Sequence, residues 1–327
     1  MFKENCMNVV TPTINQVKNI TRLKDTFDSI MAEMNKVIVG QEEVLEHIII
    51  AVLCDGNALL ESYPGLGKTL MIKTLAQILD LQFSRIQSTP DLMPSDITGT
   101  YVIEDDKGHK VFRFQKGPIF ANIILADEIN RATPKTQAAL LEAMQEKQVT
   151  VGNQTFSLDR PFFVLATQNP IDMEGTYPLP EAQIDRFLLK IKVDYPSVAD
   201  ELEIAERYTK QEHNPSLKTL LGKNSIKLLQ QLTREVPIAN DIKKRAVDIV
   251  VKTRHEKEII EFGASPRASI GIILAAKARA LIKGRKYVSE EDIDAMAIPV
   301  LRHRIILNFK AEREGKTTDD IIKHLLK

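Results

Sequence analysis

Residues 61–69 have the residue types of a loop that binds phosphate, and they read ESYPGLGKT. An apolar run precedes the loop and a helical pattern follows it, which predicts a strand, a tight loop and a helix. Gly65 and Gly67 let backbone N–H groups turn toward one point, and the helix start adds unpaired amides and the positive end of its dipole. Lys68 can then reach the β- and γ-phosphates of a nucleotide, and the Thr69 hydroxyl can bind Mg²⁺.

The loop departs once from the pattern G-x-x-x-x-G-K-[ST], because Ser62 stands where the pattern has its first glycine. A serine is tolerated there if that position does not need a positive φ, and otherwise nucleotide affinity falls. The alternative interpretation is an accidental glycine turn before a core helix. The strand before the loop and the helix after it favour phosphate binding.

Polar side chains end two further strand-like runs. Asp127 and Glu128 follow the apolar run 122–126, and Asn169 follows the run 161–167. One carboxylate can bind Mg²⁺ through water while its neighbour polarises the attacking water, which the Asn169 amide can hold against the γ-phosphate. Alone, each feature also fits a solvated strand end or a turn before proline. Because open parallel sheets bind ligands at the carboxyl ends of their strands, the nearby phosphate loop favours a functional role for the acidic pair.

Two arginines lie outside these motifs. Arg186 precedes the last strand-like run and is either part of a surface salt bridge or an arginine finger that reaches a neighbouring subunit's γ-phosphate. Arg267 lies in the first turn of a helix that Ser265 and Pro266 begin, where a cation opposes the helix dipole. That cost predicts a nearby anion, either a phosphate or a carboxylate such as that of Glu261.

The order of elements predicts an α/β fold. Strands alternate with helices up to residue 193, which indicates a parallel sheet covered by helices on both faces. Hairpin signals near 101–114 and 149–158 interrupt this alternation, and the pattern beyond residue 196 is helical. The predicted units are an N-terminal helical segment (1–36), an α/β core with the hairpin insertions (37–195) and a smaller all-helical domain (196–327).

Composition narrows the function class. Lys plus Arg and Asp plus Glu number 44 each, so no bulk charge favours nucleic acid or a membrane surface. The longest apolar run, 48–54, is too short to span a bilayer. Neither the two cysteines, Cys6 and Cys54, nor the histidines have the spacing of metal ligands. Free thiols and an N-terminus without a signal-like apolar stretch predict a cytoplasmic protein.

Taken in chain order, the motifs resemble those of AAA+ ATPases and, within them, the MoxR family. The matching stretches are VGQ at 39–41 in the adenine-side position, YPGLGKT at 63–69, LADEINRA at 125–132, ATQNP at 166–170, EGTYPLPEAQIDRF at 174–187 and GASPR at 263–267. The C-terminal helices fit the lid domain of that family. The segment 1–36 and Ser62 stand outside the resemblance.

The resemblance implies ATP and Mg²⁺ as cofactors and a role for each motif. Asp127 and Glu128 look like the Walker B pair, Asn169 like sensor 1, Arg186 like the arginine finger and Arg267 like sensor 2. The residues expected at the nucleotide are Val39, Gly40, Pro64, Gly65, Leu66, Gly67, Lys68, Thr69, Leu70 and Asp127, with Mg²⁺ at Thr69 and Asp127.

The resemblance also implies partners. Family members are typically hexameric rings whose two hairpins face the central pore, and they often work with von Willebrand factor A domain proteins to assemble or activate other complexes. We therefore expect an ATP-hydrolysing ring that remodels a protein client, with no nucleic acid partner and no membrane insertion. A nucleic-acid motor stays open because related helicases carry the same hairpins. A nucleotide-gated scaffold with little turnover stays open because of Ser62, and a magnesium-chelatase-like subunit is a neighbouring possibility.

Overall fold

A five-stranded parallel sheet forms the centre of the protein. The structure is a computed structural model that describes residues 14–106, 109–170, 175–209 and 215–327. Its strands, labelled in chain order, are β1 (Ala58–Ser62), β2 (Phe83–Gln87), β3 (Gly99–Asp106), β4 (His109–Lys116), β5 (Ile123–Asp127), β6 (Gln148–Val151), β7 (Gln154–Ser157), β8 (Phe163–Gln168), β9 (Leu189–Val193), β10 (Ile260–Phe262) and β11 (Ile306–Leu307). The sheet order is β2-β5-β8-β1-β9, with every neighbouring pair parallel, so the predicted parallel sheet is confirmed.

Helices surround this sheet. They are α1 (Ile14–Asn35), α2 (Glu42–Leu53), α3 (Lys68–Ile78), α4 (Pro94–Thr98), α5 (Pro134–Glu146), α6 (Glu181–Ile184), α7 (Val198–Thr209), α8 (Lys223–Glu235), α9 (Asn240–His255), α10 (Pro266–Ile282), α11 (Glu290–Leu301), α12 (Phe309–Arg313) and α13 (Thr318–Leu325).

Alternate residues of the strands pack into two different cores. On β5, Ile123 and Leu125 belong to the core that includes residues of α2 and α3, whereas Ile124 and Ala126 belong to the core that includes residues of α5. Successive side chains of a strand point to opposite faces, so a shift of one residue would exchange the two sets. The continuous apolar runs are therefore those of strands that are buried on both faces.

The C-terminal helices extend the first of these cores. Ile272 of α10 and Val300 of α11 belong to the same apolar cluster as Leu60 of β1. A short antiparallel pair, β10 with β11, departs from the expectation of helices alone, because strands of three and two residues are too short to show an alternating pattern. The predicted unit boundaries at 36/37 and 195/196 stay predictions.

The segments expected to form hairpins are two antiparallel pairs. Strands β3 and β4 pair from Gly99 with Lys116 to Asp106 with His109, and the turn residues 107–108 lie outside the described residues. Strands β6 and β7 form the second hairpin. The hairpins contact each other, because the ring of Phe114 stacks on that of Phe156 with their centroids 4.2 Å apart.

A buried carboxylate joins the C-terminal helices. Asp292 of α11 is 0% exposed and accepts hydrogen bonds from the guanidinium groups of Arg279 and Arg285 and from the backbone N–H of Ser289. Burial alone would raise the pKa of Asp292, but these hydrogen bonds hold it below its usual value. Nε of Arg279 also lies 3.9 Å from a carboxylate oxygen of Glu46. The network therefore includes α2, one of the helices that pack on the sheet.

We expect Asp292→Asn to lower the free energy of unfolding by about 3 kcal/mol or more, because it removes the buried carboxylate charge that the guanidinium groups of Arg279 and Arg285 share. Glu291→Gln is the matched control, since that carboxylate also pairs with Arg279 but is exposed at the surface. The control should cost less than about 1 kcal/mol. Urea unfolding of both variants measures the difference, and equal losses would contradict the account.

Candidate functional site

The loop between β1 and α3 is open toward solvent. Gly65 and Gly67 have φ of 83° and 71°, in the left-handed region that glycine adopts without strain. A Cβ atom placed on either glycine would meet no other atom within 4 Å. The backbone conformation therefore favours glycine at both positions, whereas steric contact would not exclude a side chain.

Lys68 lies folded into this loop. Its Nζ donates to the carbonyl oxygen of Tyr63 at 3.0 Å and to the hydroxyl of Ser62 at 3.4 Å. Burial lowers the pKa of Lys68, and the charges of Asp127 and Glu128 oppose that shift. The ammonium group is thus close enough to the acidic pair to interact with it electrostatically.

Ser62 fits the loop without strain. It is the last residue of β1, it is buried, and its φ is not positive. Its hydroxyl donates to the carbonyl oxygen of Tyr63 at 3.0 Å. The glycine that the pattern has at this position is therefore not needed for backbone conformation in this chain.

The carboxyl ends of three neighbouring strands bring the predicted residues to one edge of the sheet. Ser62 ends β1, Asp127 ends β5, and Asn169 directly follows β8, which lies between the other two strands. Thr69 and Leu70 lie in the first turn of α3, on the same edge. The glycine-rich loop at 62–69, called the P-loop below, therefore lies at the same edge as the acidic pair and Asn169, because the strands that carry them are parallel.

Both carboxylate oxygens of Asp127 are engaged. Arg85 of β2 donates to Oδ2 from Nη2 at 2.6 Å and from Nε at 3.2 Å, and the Thr167 hydroxyl donates to Oδ1 at 2.7 Å. Glu128 has φ 54°, and its carboxylate lies 3.2 Å from Nε of Arg131. Sequence reasoning missed Arg85 and Thr167, whose positions within strand-like runs gave no sign of a polar contact.

Arg186 and Arg267 lie at the opposite edge of the sheet. They line a cavity of about 380 Å³ together with Asp55 and Gly56, which precede β1. A strand as long as β1 spans roughly 17 Å, and that length separates this edge from the P-loop. Nε of Arg186 is buried and has no hydrogen-bond partner in the described part of the chain.

Asp185 organises this edge. Arg267 lies 3.5 Å from its Oδ2, so the carboxylate beside Arg267 is that of Asp185 and not that of Glu261. Nε of Arg304 donates to Oδ1 of Asp185 at 2.8 Å, and the Ser265 hydroxyl that caps α10 also donates to this carboxylate. Burial lowers the pKa of Arg304, and Asp185 opposes that shift.

The adenine-side residues lie near a second cavity, of about 360 Å³. Val39 is buried and Gly40 has φ 65°, and a Cβ on Gly40 would lie 3.1 Å from the carboxylate of Asp200. Tyr195, which lines the cavity, stacks on Tyr63 of the P-loop with ring centroids 5.0 Å apart and planes at 14°. The sequence gave no signal for this stack except the change in composition near 194–197.

Known proteins resemble this chain over most of its length. Residues 57–189 match the ATPase family associated with various cellular activities (AAA), and residues 252–325 match the AAA lid domain. The protein named Chaperone MoxR1 from Mycobacterium tuberculosis is 42% identical over 309 residues, which cover 92% of this chain and 81% of that protein. The chain belongs to the MoxR family of AAA+ ATPases.

Two further relatives of this AAA+ chain cover nearly all of it. YeaC of Bacillus subtilis is 44% identical over 293 residues, covering 90% of this chain and 91% of YeaC. A crystal structure from Cytophaga hutchinsonii, described as that of a candidate ATPase, superposes with a TM-score of 0.89 at 43% identity and covers 95% of this chain and 96% of its own. The resemblance to MoxR proteins inferred from the motifs is confirmed.

Four further findings concern metal ligands, membrane helices, the stretch 174–187 and Cys54. No described group of His, Cys, Asp and Glu side chains is arranged to hold a metal by itself, and no described helix is long and apolar enough to cross a membrane. Residue 174 of the matching stretch 174–187 lies outside the described residues. Burial raises the pKa of the Cys54 thiol to about 12, which makes it an unreactive core residue.

We expect Ser62→Gly to change the dissociation constant for ATP by less than about threefold, because glycine there relieves no strained backbone conformation. Gly67→Ala is the contrasting variant, since it forces a Cβ onto a left-handed residue of the same loop. It should weaken binding by more than about tenfold. Titration calorimetry measures both, and a large gain in affinity on Ser62→Gly would contradict this account.

Proposed function

We propose that the chain hydrolyses ATP with Mg²⁺ in a ring of identical subunits, hexameric as the resemblance implies, and uses the cycle to remodel a protein client. One observation carries the proposal: the P-loop with the acidic pair and the two arginines lie at opposite edges of the same sheet. Each edge holds half of a phosphoryl-transfer site. In this proposal residues 37–195 form the ATPase core and residues 196–327 form the lid.

The P-loop edge would supply the groups that bind the nucleotide and the general base that activates water. The backbone N–H groups around Gly65 and Gly67 and the ammonium group of Lys68 would hold the phosphates. The oxygen donors of Thr69 and Asp127 fit Mg²⁺, a hard cation that prefers carboxylate, hydroxyl and water oxygens, and when bound it would neutralise phosphate charge. Glu128 would accept the proton of the attacking water.

Asn169 and the adenine-side residues complete this edge. The Asn169 side chain would hold the attacking water in line with the γ-phosphate, because it follows the strand between the acidic pair and the P-loop. Val39 and Gly40 would lie against the adenine ring of the nucleotide. Pro64, Leu66 and Leu70 would line the P-loop.

The arginine edge would act on the next subunit. Roughly 17 Å of strand separates Arg186 from its own P-loop, so a neighbouring subunit must present its P-loop to that arginine. Arg267 lies in the same cavity and would serve the same phosphate in trans. Cations at that position stabilise the charge that develops on the transferred phosphoryl group.

A protein client is favoured over nucleic acid by the β3–β4 hairpin. Ile103 and Phe112 face each other across it and are 60% and 75% exposed, which is typical of a surface that binds protein. Arg113 is paired with Glu104 at 2.9 Å, so its charge is compensated. A relative of this chain is named a chaperone, which agrees with a protein client.

We further propose a cytoplasmic location and a von Willebrand factor A domain protein as the partner. The location rests on the cysteine content, since free thiols are typical of reducing compartments. The partner rests on the resemblance to MoxR proteins alone. Co-purification of the complex from cells that express both proteins tests it.

Two substitutions at the P-loop edge should impair ATP hydrolysis at different steps. Lys68→Ala removes the cation that holds the phosphates, so we expect loss of ATP binding. Glu128→Gln keeps the shape of the site without the base, so we expect binding near that of the wild type and turnover lower by about a hundredfold or more. Calorimetry and phosphate release measure the two quantities. Wild-type turnover as slow as that of Glu128→Gln would favour the nucleotide-gated scaffold.

Mixing inactive variants tests the arginine edge. Arg186→Ala mixed with Lys68→Ala should recover activity, because about one junction in four then joins an intact P-loop to an intact arginine edge. Arg186→Ala mixed with Arg267→Ala is the matched control and should recover none, since both defects lie at the same edge. Absence of recovery in the first mixture, with subunit exchange demonstrated by fluorescence transfer, would contradict action in trans.

Nucleic acids should leave turnover unchanged at moderate salt, while a partner protein should alter it. A strand-tracking motor needs a basic channel, and its affinity falls steeply with salt because bound counterions are released. This chain has no net charge and no Trp. Phosphate release with single- and double-stranded DNA and RNA over a salt series is the measurement. A stimulation of several-fold that disappears as salt rises would instead support the helicase-type motor.

A further inference from the structure

Thr167 of β8 makes hydrogen bonds to both members of the acidic pair, Asp127 and Glu128. Its side chain is 0% exposed, and its hydroxyl donates to Oδ1 of Asp127 at 2.7 Å. The same hydroxyl oxygen accepts the backbone N–H of Glu128 at 2.8 Å. A single buried hydroxyl therefore uses its donor on one acidic residue and an acceptor site on the next.

The backbone of Glu128 needs such a partner. Its φ of 54° lies in the left-handed region, which costs free energy for a residue with a Cβ and persists when surrounding contacts hold it. The direction in which the Glu128 side chain leaves the sheet depends on that backbone conformation. The hydrogen bond from its N–H to Thr167 fixes the conformation from the neighbouring strand.

Asp127 is held from both sides, and the two sides differ. Arg85 on β2 reaches Oδ2 with a side chain that is 46% exposed, so water competes for this contact. Thr167 reaches Oδ1 from the other flanking strand within the buried sheet. The contact with Thr167 is therefore the one that solvent exchange disturbs least.

We propose that Thr167 is a positioning residue for hydrolysis, which orients Glu128 toward the attacking water and holds Asp127 in place beside it. The inference rests on the proposed function, because it concerns the same site. It assigns Thr167 no contact with the nucleotide. Its effect passes through the Asp127 carboxylate and the backbone of Glu128.

The test compares Thr167→Val with Thr167→Ser. Valine keeps the shape and the β-branch that suit a strand but removes the hydroxyl, and serine keeps the hydroxyl. We expect Thr167→Val to lower kcat by about tenfold or more, since small displacements of a catalytic group cost that much, and to change the ATP dissociation constant by less than about threefold. Thr167→Ser should retain kcat within about threefold of the wild type.

Thr233→Val controls for the loss of a buried hydroxyl. Thr233 of α8 is also 0% exposed, and its hydroxyl donates to the carbonyl oxygen of Leu229 at 2.8 Å. Both valine variants should lower the thermal unfolding midpoint, while Thr233→Val should leave kcat unchanged. Adding Thr167→Val to Glu128→Gln should lower turnover by a smaller factor than in the wild type, because the part of its effect that passes through Glu128 is already lost.

Each outcome decides for or against the inference. A Thr167→Val variant with kcat within about twofold of the wild type overturns it. So does a fall in kcat that matches the loss of folded protein, or an effect that multiplies fully in the Glu128→Gln background. If the wild type turns over no faster than Glu128→Gln, hydrolysis itself fails and the inference fails with it. That case is recognised from the wild type alone, whereas the others leave wild-type turnover intact.

Discussion

The parallel direction of the strands is the constraint on which the site depends. Because β1, β5 and β8 run the same way, everything that follows a strand gathers at one edge of the sheet, and everything that precedes one gathers at the other. The first edge receives the P-loop, the acidic pair and Asn169. The second edge receives Arg186 and Arg267. The length of the strands then keeps these two sets of residues apart within one chain.

Packing keeps both edges in place. The strands are buried on both faces, so their register cannot shift without exchanging the residues of two cores. At the arginine edge, Arg304 and Asp185 form an ion pair in which the Arg304 side chain is 3% exposed. Removing one partner of such a pair is costly, so the pair holds in place the Asp185 carboxylate that Arg267 contacts. At the other edge, the buried Thr167 hydroxyl and the half-exposed Arg85 guanidinium both donate hydrogen bonds to Asp127.

Much of this arrangement could be predicted from the sequence, because the signals are local. The P-loop and the acidic pair are short motifs, and an apolar run before each one indicates the buried strand that carries it. The order of strands and helices then predicted the parallel sheet. Whether serine is tolerated at position 62 depends on the backbone φ angle there. A sequence does not give that angle, and in the structure it is not positive.

What the sequence could not supply were contacts between distant residues. Thr167 and Asp127 are 40 residues apart, and a threonine within an apolar run looks like any strand residue. For Arg267 the sequence left open a phosphate or a carboxylate such as that of Glu261, whereas the carboxylate that it contacts is that of Asp185, which comes from another element.

The most direct test of the central claim, that Arg186 acts on the nucleotide of the next subunit, is a cryo-electron microscopy structure of Glu128→Gln with ATP and Mg²⁺. We predict that the Arg186 guanidinium of each subunit lies about 3 Å from an oxygen of the γ-phosphate that the next subunit holds. A map with ATP bound in every subunit, but with Arg186 away from every neighbouring nucleotide, would contradict the account.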